Sequence, residues 1–374
     1  MIKKMNSCIG VCALLACSAV IAQSSIVIGM SLPLTGPQAG AGRDIRTSTE
    51  AYVQMVNKEG GINGKKLVLK VMDDEFKPEK TVANIKALVD TDNAIGIASL
   101  LGGPQILAAK PVAYSLGLPI VGVLNGNTAV VSAENSSIVH VRQPFSKELQ
   151  LIVRQYTTIG MKRFAIFSPD DAPGKAAAKT VKDALAISNL TLAAEVGFDR
   201  ATKDFKPYVD QVSKAAPEVL IVFAPTRAAT ELIGGLKAAG VSSQIACVSV
   251  VDERDLYATL KEKAIGILFS SVVPNPYSIN LALTRDYQKA MKEKGETELS
   301  LASYEAFINV KVLAEGLRKA GNNPTRASLS KALSDLAPTD LGDVYFRPKA
   351  DDKNPAGIYV SDIVMLSRNG RLIR

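Results

Sequence analysis

The sequence has no tryptophan, a single histidine and only four cysteines in 374 residues. Each scarcity excludes something. Sugars are commonly held on flat aromatic faces, so a chain without Trp is a poor sugar receptor. With His140 alone, and so few cysteines, metal sites built from several His or Cys ligands are excluded by count. A catalytic triad needs a base within reach of a nucleophile, and no Gly-x-Ser-x-Gly run is present. Cys8, Cys12 and Cys17 fall within the first 17 residues, so the chain after residue 22 keeps Cys247 alone and no internal disulfide. Oxidising compartments permit disulfides, but a chain of this size does not need them. Cys247 sits in "QIACVSV", an apolar strand pattern, and reads as an inert core thiol. Charge is spread thinly too. The formal charge is +8 and the basic residues are scattered. The basic face with interleaved aromatics that nucleic acid requires is not there.

What is present begins with a leader. Lys3 and Lys4 precede "CIGVCALLACSAVIA", which is apolar but shorter than the ~18 residues a membrane span needs. Small residues near Ala22 suit cleavage before Gln23. A rival reading takes "LLAC" as a lipoprotein box that acylates Cys17, although Leu15 fits it poorly. With Lys3 and Lys4 removed the charge is +6. No later apolar run is long enough to span a bilayer, so the mature chain is expected to be exported and soluble.

From Ser25 onward β-branched runs alternate with helical patterns. Strands are expected at 26–32, 66–72, 94–100 and 119–123, with helices at 43–57, 78–92 and 105–117 between or after them. Pro78 suits a first helical turn and Gly117 a helix stop. The rhythm restarts, with strands at 163–169, 192–198, 219–225, 244–250 and 266–273 and helices at 146–160, 174–188, 205–215, 226–239 and 252–264. Continuous apolar strands point to parallel sheets covered on both faces. Three helices then follow in tandem, at 281–295, 302–320 and 325–336, and must pack back on an existing sheet. The tail, "VYFRP" and "GIYVSDIVML", alternates like an antiparallel hairpin. The fold class is therefore α/β, with two doubly wound parallel-sheet lobes.

Several motifs fall short of chemistry. "GAGRDI" at 40–45 has Ile45 where a dinucleotide fingerprint needs its third glycine. "DDAPGKA" has Pro169 where a phosphate loop needs its first glycine, and no Ser or Thr follows Lys175. The acids of "VMDDEF", Asp73, Asp74 and Glu75, stand where many α/β enzymes keep catalytic groups, but read as the polar end of a strand. "GGINGKK" reads as a helix stop followed by a tight turn.

The run "PLTGP", helix, "NKEGGINGKKL", "DDEFKPEKTVANIKAL", followed later by "GLPIVGV", "VHVRQPF", "VVPNP" and "SYEAFINVKVLAEGLRKAG", resembles the leucine/isoleucine/valine-binding family across essentially the whole mature chain. These are type I periplasmic solute receptors of ABC importers. The resemblance implies two lobes joined by three crossovers, at 140–144, 271–277 and 338–345. The N-terminal lobe would take 23–141 plus 276–338, and the C-terminal lobe 144–271 plus 346–374. It further implies a periplasmic monomer that closes over a small carboxylate-bearing ligand, an amino acid or an aromatic or aliphatic acid. The partner would be a membrane permease, with no cofactor, no metal and no chemistry. The same fold used as a sensor for a membrane receptor is an alternative, and an enzyme a remote one.

Ligand contacts are expected at strand ends, where open α/β sheets bind. Gly102, Gly103 and Pro104 join a strand to a helix start: the glycines either make only a tight turn or let backbone N–H groups face an anion, and the resemblance puts the carboxylate-binding loop here. Asn125, Gly126 and Asn127 end the next strand and offer amide donors, or only turn chemistry. Gln38 and Ala39 follow "LTGP", and Pro225 and Thr226 follow "LIVFA". Gly103 and Asn125 occupy places where amino-acid binders of the family carry Ser or Thr, and Pro173 stands in place of a Tyr. The resemblance puts an ammonium-holding acid at Asp252 or Glu253, while Arg254 is equally placed to face a carboxylate. Tyr277 and Tyr304 are rim candidates whose commoner fate is the core.

Overall fold

The computed structural model describes residues 25–36, 38–131, 137–349, 356–360 and 362–374. The expected leader and Cys17 lie outside them.

The first half builds one sheet. Strands β1 (Ile26–Leu32), β2 (Leu67–Asp73), β3 (Ile97–Leu101), β4 (Ile120–Leu124) and β5 (Ile138–Val139) pair in parallel in the order β2-β1-β3-β4-β5. Helices α1 (Ala39–Lys58), α2 (Pro78–Asp90), α3 (Gly103–Ser115) and the short α4 (Thr128–Val131) connect them. Pro78 opens α2, where its missing N–H costs nothing. One face of the sheet packs with α2 and α3 through Ile85, Leu88, Ile106, Ile97 and Ile120. The chain switches direction between β1 and β3, which places the loops after both strands at a topological switch point.

The second half repeats the plan. It contains α5 (Phe145–Thr158), β6 (Phe164–Pro169), α6 (Ala172–Ala186), β7 (Leu192–Phe198), α7 (Lys206–Ala215), β8 (Val219–Val222), α8 (Thr226–Ala238), β9 (Gln244–Cys247), α9 (Glu253–Leu260) and β10 (Leu268–Ser271). Every residue of β6 and β8 is buried, as continuous apolar strands covered on both faces should be. Their helices cover both faces, Leu149, Ile152 and Val181 on one side and Val212, Leu232 and Ile233 on the other. Cys247, at the end of β9, is fully buried, and burial alone drives its thiol far up from the ordinary range.

The tandem helices α10 (Ala282–Glu293), α11 (Leu301–Lys319) and α12 (Arg326–Ser334) add no strand to the first sheet. Capping boxes at Ser300 and Thr325 start the last two. Helix α11 lies on α1 and against β3 and β4. Tyr52 meets Phe307 edge-on at 5.1 Å, and Tyr287 stacks on Tyr304 at 4.4 Å. Tyr304 is thus a core residue, its hydroxyl 2.7 Å from Thr284 Oγ1.

The tail corrects one expectation. Its two alternating runs pair antiparallel only at the start of the second, with Phe346 opposite Ile358 and Arg347 opposite Gly357. Strands β11 (Thr339–Asp340), β12 (Tyr345–Arg347) and β13 (Gly357–Ile358) make a small antiparallel sheet. The rest of the second run becomes β14 (Asp362–Leu366), which pairs antiparallel with β10 and with β15 (Leu372–Ile373). The larger sheet therefore runs β15-β14-β10-β9-β8-β6-β7. Alternation reports which face is buried but not which strand is the partner. The segment around Val141 runs beside β13, with Ile358 N donating to Val141 O at 2.7 Å and Gln143 Nε2 to Ile358 O at 2.9 Å.

The acids after β2 hold loops. Asp73 Oδ1 accepts from the N–H of Leu34 and of Glu75 at 2.9 Å each, and Thr35 Oγ1 donates to its Oδ2 at 2.6 Å. Burial works against ionisation there, but these donors hold the carboxyl below its usual range. Asp74 accepts from Ser31 and Thr81 hydroxyls at 3.0 and 3.1 Å and from Phe76 N at 3.0 Å. Burial prevails at Asp74 and raises its carboxyl. Both acids tie the β2–α2 connection to the end of β1 and present Phe76.

Candidate functional site

A cavity of about 500 Å³ lies where the carboxyl ends of both sheets meet. A groove of about 560 Å³ at Asn275, Arg368 and Arg371 is slightly larger, but it is shallow and open.

One wall of the cavity comes from the first sheet. Gln38 begins it at the start of α1. Gly102, at φ +95°, turns the chain from β3 into α3, and a Cβ there would strike Gln105 Oε1 at 2.2 Å and Phe76 Cε2 at 2.7 Å. Gly103 and Pro104 open α3. A Cβ on Gly103 would sit 3.4 Å from Asn125 Nδ2, so the asparagine amide lies over this turn. Asn125 Oδ1 accepts from Asn127 N, and Asn127 Oδ1 from Ala129 N, both at 2.9 Å. Each carbonyl is thus used locally, and what each side chain has to offer a ligand is its NH₂. Ala39 and Gly126 stand outside the lining. Gly126 serves packing instead: its carbonyl accepts from Phe145 N at 2.9 Å, and a Cβ would meet that nitrogen at 2.6 Å.

The opposite wall comes from the second sheet: Pro169 at the end of β6 with Asp171 and Pro173 beyond it, Phe223, Pro225 and Thr226 after β8, and Ser249 to Glu253 after β9. Its polar groups are largely committed. Asp171 caps α6, accepting from Gly174 N at 3.0 Å, and pairs with Arg200 at 2.6 Å. Thr226 Oγ1 accepts from Asp252 N at 3.0 Å. Asp252 caps α9, accepting from Asp255 N at 2.8 Å. Glu253 is buried and accepts from Leu301 N at 2.8 Å, capping α11 from across the cleft. Arg254 is not part of this cavity's lining: it pairs with Asp44 of α1 at 2.6 Å, and Ser300 Oγ donates to the same Asp44 oxygen at 3.0 Å. Burial raises the carboxyls of Asp252 and Glu253, and their mutual proximity reinforces Glu253.

The floor is a buried ionic group. Arg142 bonds Glu148 at 2.7 Å, approaches Glu305 at 3.4 Å and also meets Ser249 Oγ. Its guanidinium lies 5.2 Å over the Phe145 ring. His140, two residues earlier, is half-buried, and burial followed by Lys110 lowers its imidazole to about 4, so it is neutral at physiological pH. Among the described residues no cluster of three or more His, Cys, Asp or Glu is placed to hold a metal ion.

Of the expected contacts, Gln38, Gly102, Gly103, Pro104, Asn125, Asn127, Pro173, Pro225, Thr226, Asp252 and Glu253 line the cavity. Sequence reading did not single out its apolar surface, made by Phe76, Leu101, Leu107, Phe145, Phe223, Val250 and Leu301, or the polar residues Arg200 and Glu305. Two signals were available. Phe145 follows "RQP" and opens α5, and Phe223 stands two places before Pro225.

Two sheets whose parallel strands point their carboxyl ends at a shared cavity, with helix starts and small polar loops around it, define a solute receptor built from two α/β bodies. The chain belongs to the periplasmic binding protein family, whose model matches residues 25–366. It is 28% identical over 357 residues to the Leu/Ile/Val-binding protein homolog 3 of Brucella melitensis, with 90% of each chain covered. A substrate-binding periplasmic protein from Ralstonia solanacearum matches with a TM-score of 0.82 at 27% identity, covering 93% of this chain and 99% of that one. A solute-binding protein of an R. palustris ABC transporter, solved with 4-hydroxybenzoate, shares the fold with a TM-score of 0.79 at 19% identity, covering 94% and 95%. The protein is thus a periplasmic binding protein of the Leu/Ile/Val-binding type, a solute-binding rather than an enzymatic family. Family membership places it in the periplasm, and no helix among the described residues is long and apolar enough to cross a membrane.

Proposed function

We propose that this protein captures a small acid with an apolar body and passes it to the membrane permease of an ABC importer. It acts as a monomer, without a cofactor and without chemistry. Export would follow cleavage of the leader before Gln23. The moving bodies would be 23–141 with 276–338, and 144–271 with 346–374, turning on crossovers at 140–144, 271–277 and about 338–345. Such a hinge closes by small backbone rotations in a few residues.

One observation carries the reading: the start of α3, at Gly102 and Gly103, meets the amide of Asn125 on a cavity whose apolar surface includes Phe76, Phe145 and Phe223. A helix start presents unpaired N–H groups and the positive end of the helix dipole, which favour a carboxylate. The aromatic walls suit an apolar remainder. Glu253 and Asp252 are spent on helix starts, which favours a plain or hydroxylated acid over a ligand that needs them for its ammonium.

The test is a thermal-shift panel of amino acids and aromatic and aliphatic acids against residues 23–374. A ligand at 100 times its Kd adds about 2.7 kcal/mol of stability. A melting curve unmoved by the whole panel sinks the assignment.

A further inference from the structure

Glu148 and Glu305 share one cation on the cavity floor, and they share it unequally. Glu148 receives four bonds: from Arg142 at 2.7 Å and Ser249 Oγ at 2.8 Å on one oxygen, and from Ser249 N at 2.9 Å and Ser270 Oγ at 2.6 Å on the other. Glu305, 4% exposed, receives a single long contact of 3.4 Å from Arg142 on Oε2. Its Oε1 is buried and accepts from nothing among the described residues. Close charged pairs sit at about 2.7–2.9 Å, so Arg142 is committed to Glu148. A buried carboxylate short of donors is costly, and two events relieve it: protonation, or a donor brought by a ligand. Burial, against the pull of Arg142 and with help from Glu148, lifts the Glu305 carboxyl to about 7.

We propose that Glu305 accepts a hydrogen bond from the bound acid, so that the ligand carries an N–H or O–H donor in addition to its carboxylate. This rests on the reading of the cavity as a carboxylate site. Glu305 lines that cavity from the second turn of α11, one turn beyond Leu301. One cation between two carboxylates repels a ligand carboxylate, which is therefore directed to the glycine and asparagine wall. The donor end is left facing the floor. Glu305 thereby selects the ligand and fixes its orientation.

The test is calorimetry on residues 23–374 with acids matched for shape: L-leucine and 2-hydroxy-4-methylpentanoate against 4-methylpentanoate, and 4-hydroxybenzoate against benzoate. In at least one set the donor-bearing acid should bind about 10- to 100-fold tighter. Glu305→Leu should erase that preference and leave the donorless acid within about 3-fold of its original affinity. Glu305→Met replaces it if the Leu variant does not fold. Glu305→Gln separates the two donor types. Its neutral carbonyl still accepts from a hydroxyl, so a hydroxy-acid preference survives, whereas a preference for leucine's ammonium falls. Equal binding within every set, or a preference that survives Glu305→Leu, overturns the role of Glu305 alone. Failure of all five acids to bind overturns the carboxylate site and this inference together.

Discussion

The two walls of the cavity are both polar, but one has donors to give and the other has already spent them. On the first, the turn at Gly102–Gly103 and the side chains of Asn125 and Asn127 have local bonds to their carbonyl oxygens only. On the second, Asp171, Asp252 and Glu253 each cap a helix, and Asp171 also holds Arg200. Residue types alone would rank the second wall as the more reactive, since it has more charge. Partners reverse that order. The first wall should govern affinity and the second stability.

The floor gives the largest expected effect. Glu148→Leu leaves Arg142 with Glu305, at 3.4 Å, as its one carboxylate contact among the described residues, and breaking a buried pair costs about 3–5 kcal/mol. Denaturant melts should show that loss, and an unchanged midpoint would remove the floor from the scaffold. Next, Asn125→Asp keeps the oxygen that accepts from Asn127 N but deletes the NH₂ and adds a negative charge. Affinity for any acid that binds should drop about 10- to 100-fold with little change in melting. On the other wall Asp171→Ala should do the reverse, costing about 1 kcal/mol through the lost cap while affinity stays within about 2-fold. A large affinity loss there, or none at Asn125, would collapse the distinction between the walls.

The last effect is a pH slope. Glu253 is pushed up to about 8 by burial and by Asp252, with Asp44 adding to the push and the N–H of Leu301 opposing it. The folded chain therefore holds a proton that the unfolded chain, near 4.5, has released. Where the native state binds more protons, stability falls as pH rises, here between about 4.5 and 8. Asp252 and Glu305 shift in the same direction. Melting temperature should decline across that window, and Glu253→Gln, which still accepts from Leu301, should flatten the decline.

What could be read in advance divides along the same lines. Helix starts and strand ends are local: Pro78, the glycines at 102–103 and the asparagines at 125 and 127 announce themselves by their backbone chemistry. The structural task of Asp73 and Asp74 was legible too, because they end an apolar strand. The aromatic lining was not. Phe76, Phe145 and Phe223 come from three separate segments, two loops and the start of α5, and nothing in any one of them tells a cavity face from a core face. Asp252, Glu253 and Arg254 were ambiguous because their partners, Leu301 N and Asp44, lie some 50 to 210 positions away. Strand pairing in the tail was legible only in part for the same reason: β13 pairs antiparallel with β12, but β14 pairs with β10 in the larger sheet.

Cys247 has a practical use. It is the sole sulfhydryl after residue 17, and it is sealed in the end of β9. Maleimide dyes should pass it by. Ala83→Cys on α2 and Ala176→Cys on α6, both at exposed positions, would then carry a fluorophore pair without background labelling. Energy transfer between them would show in real time whether the two halves draw together as each acid is added.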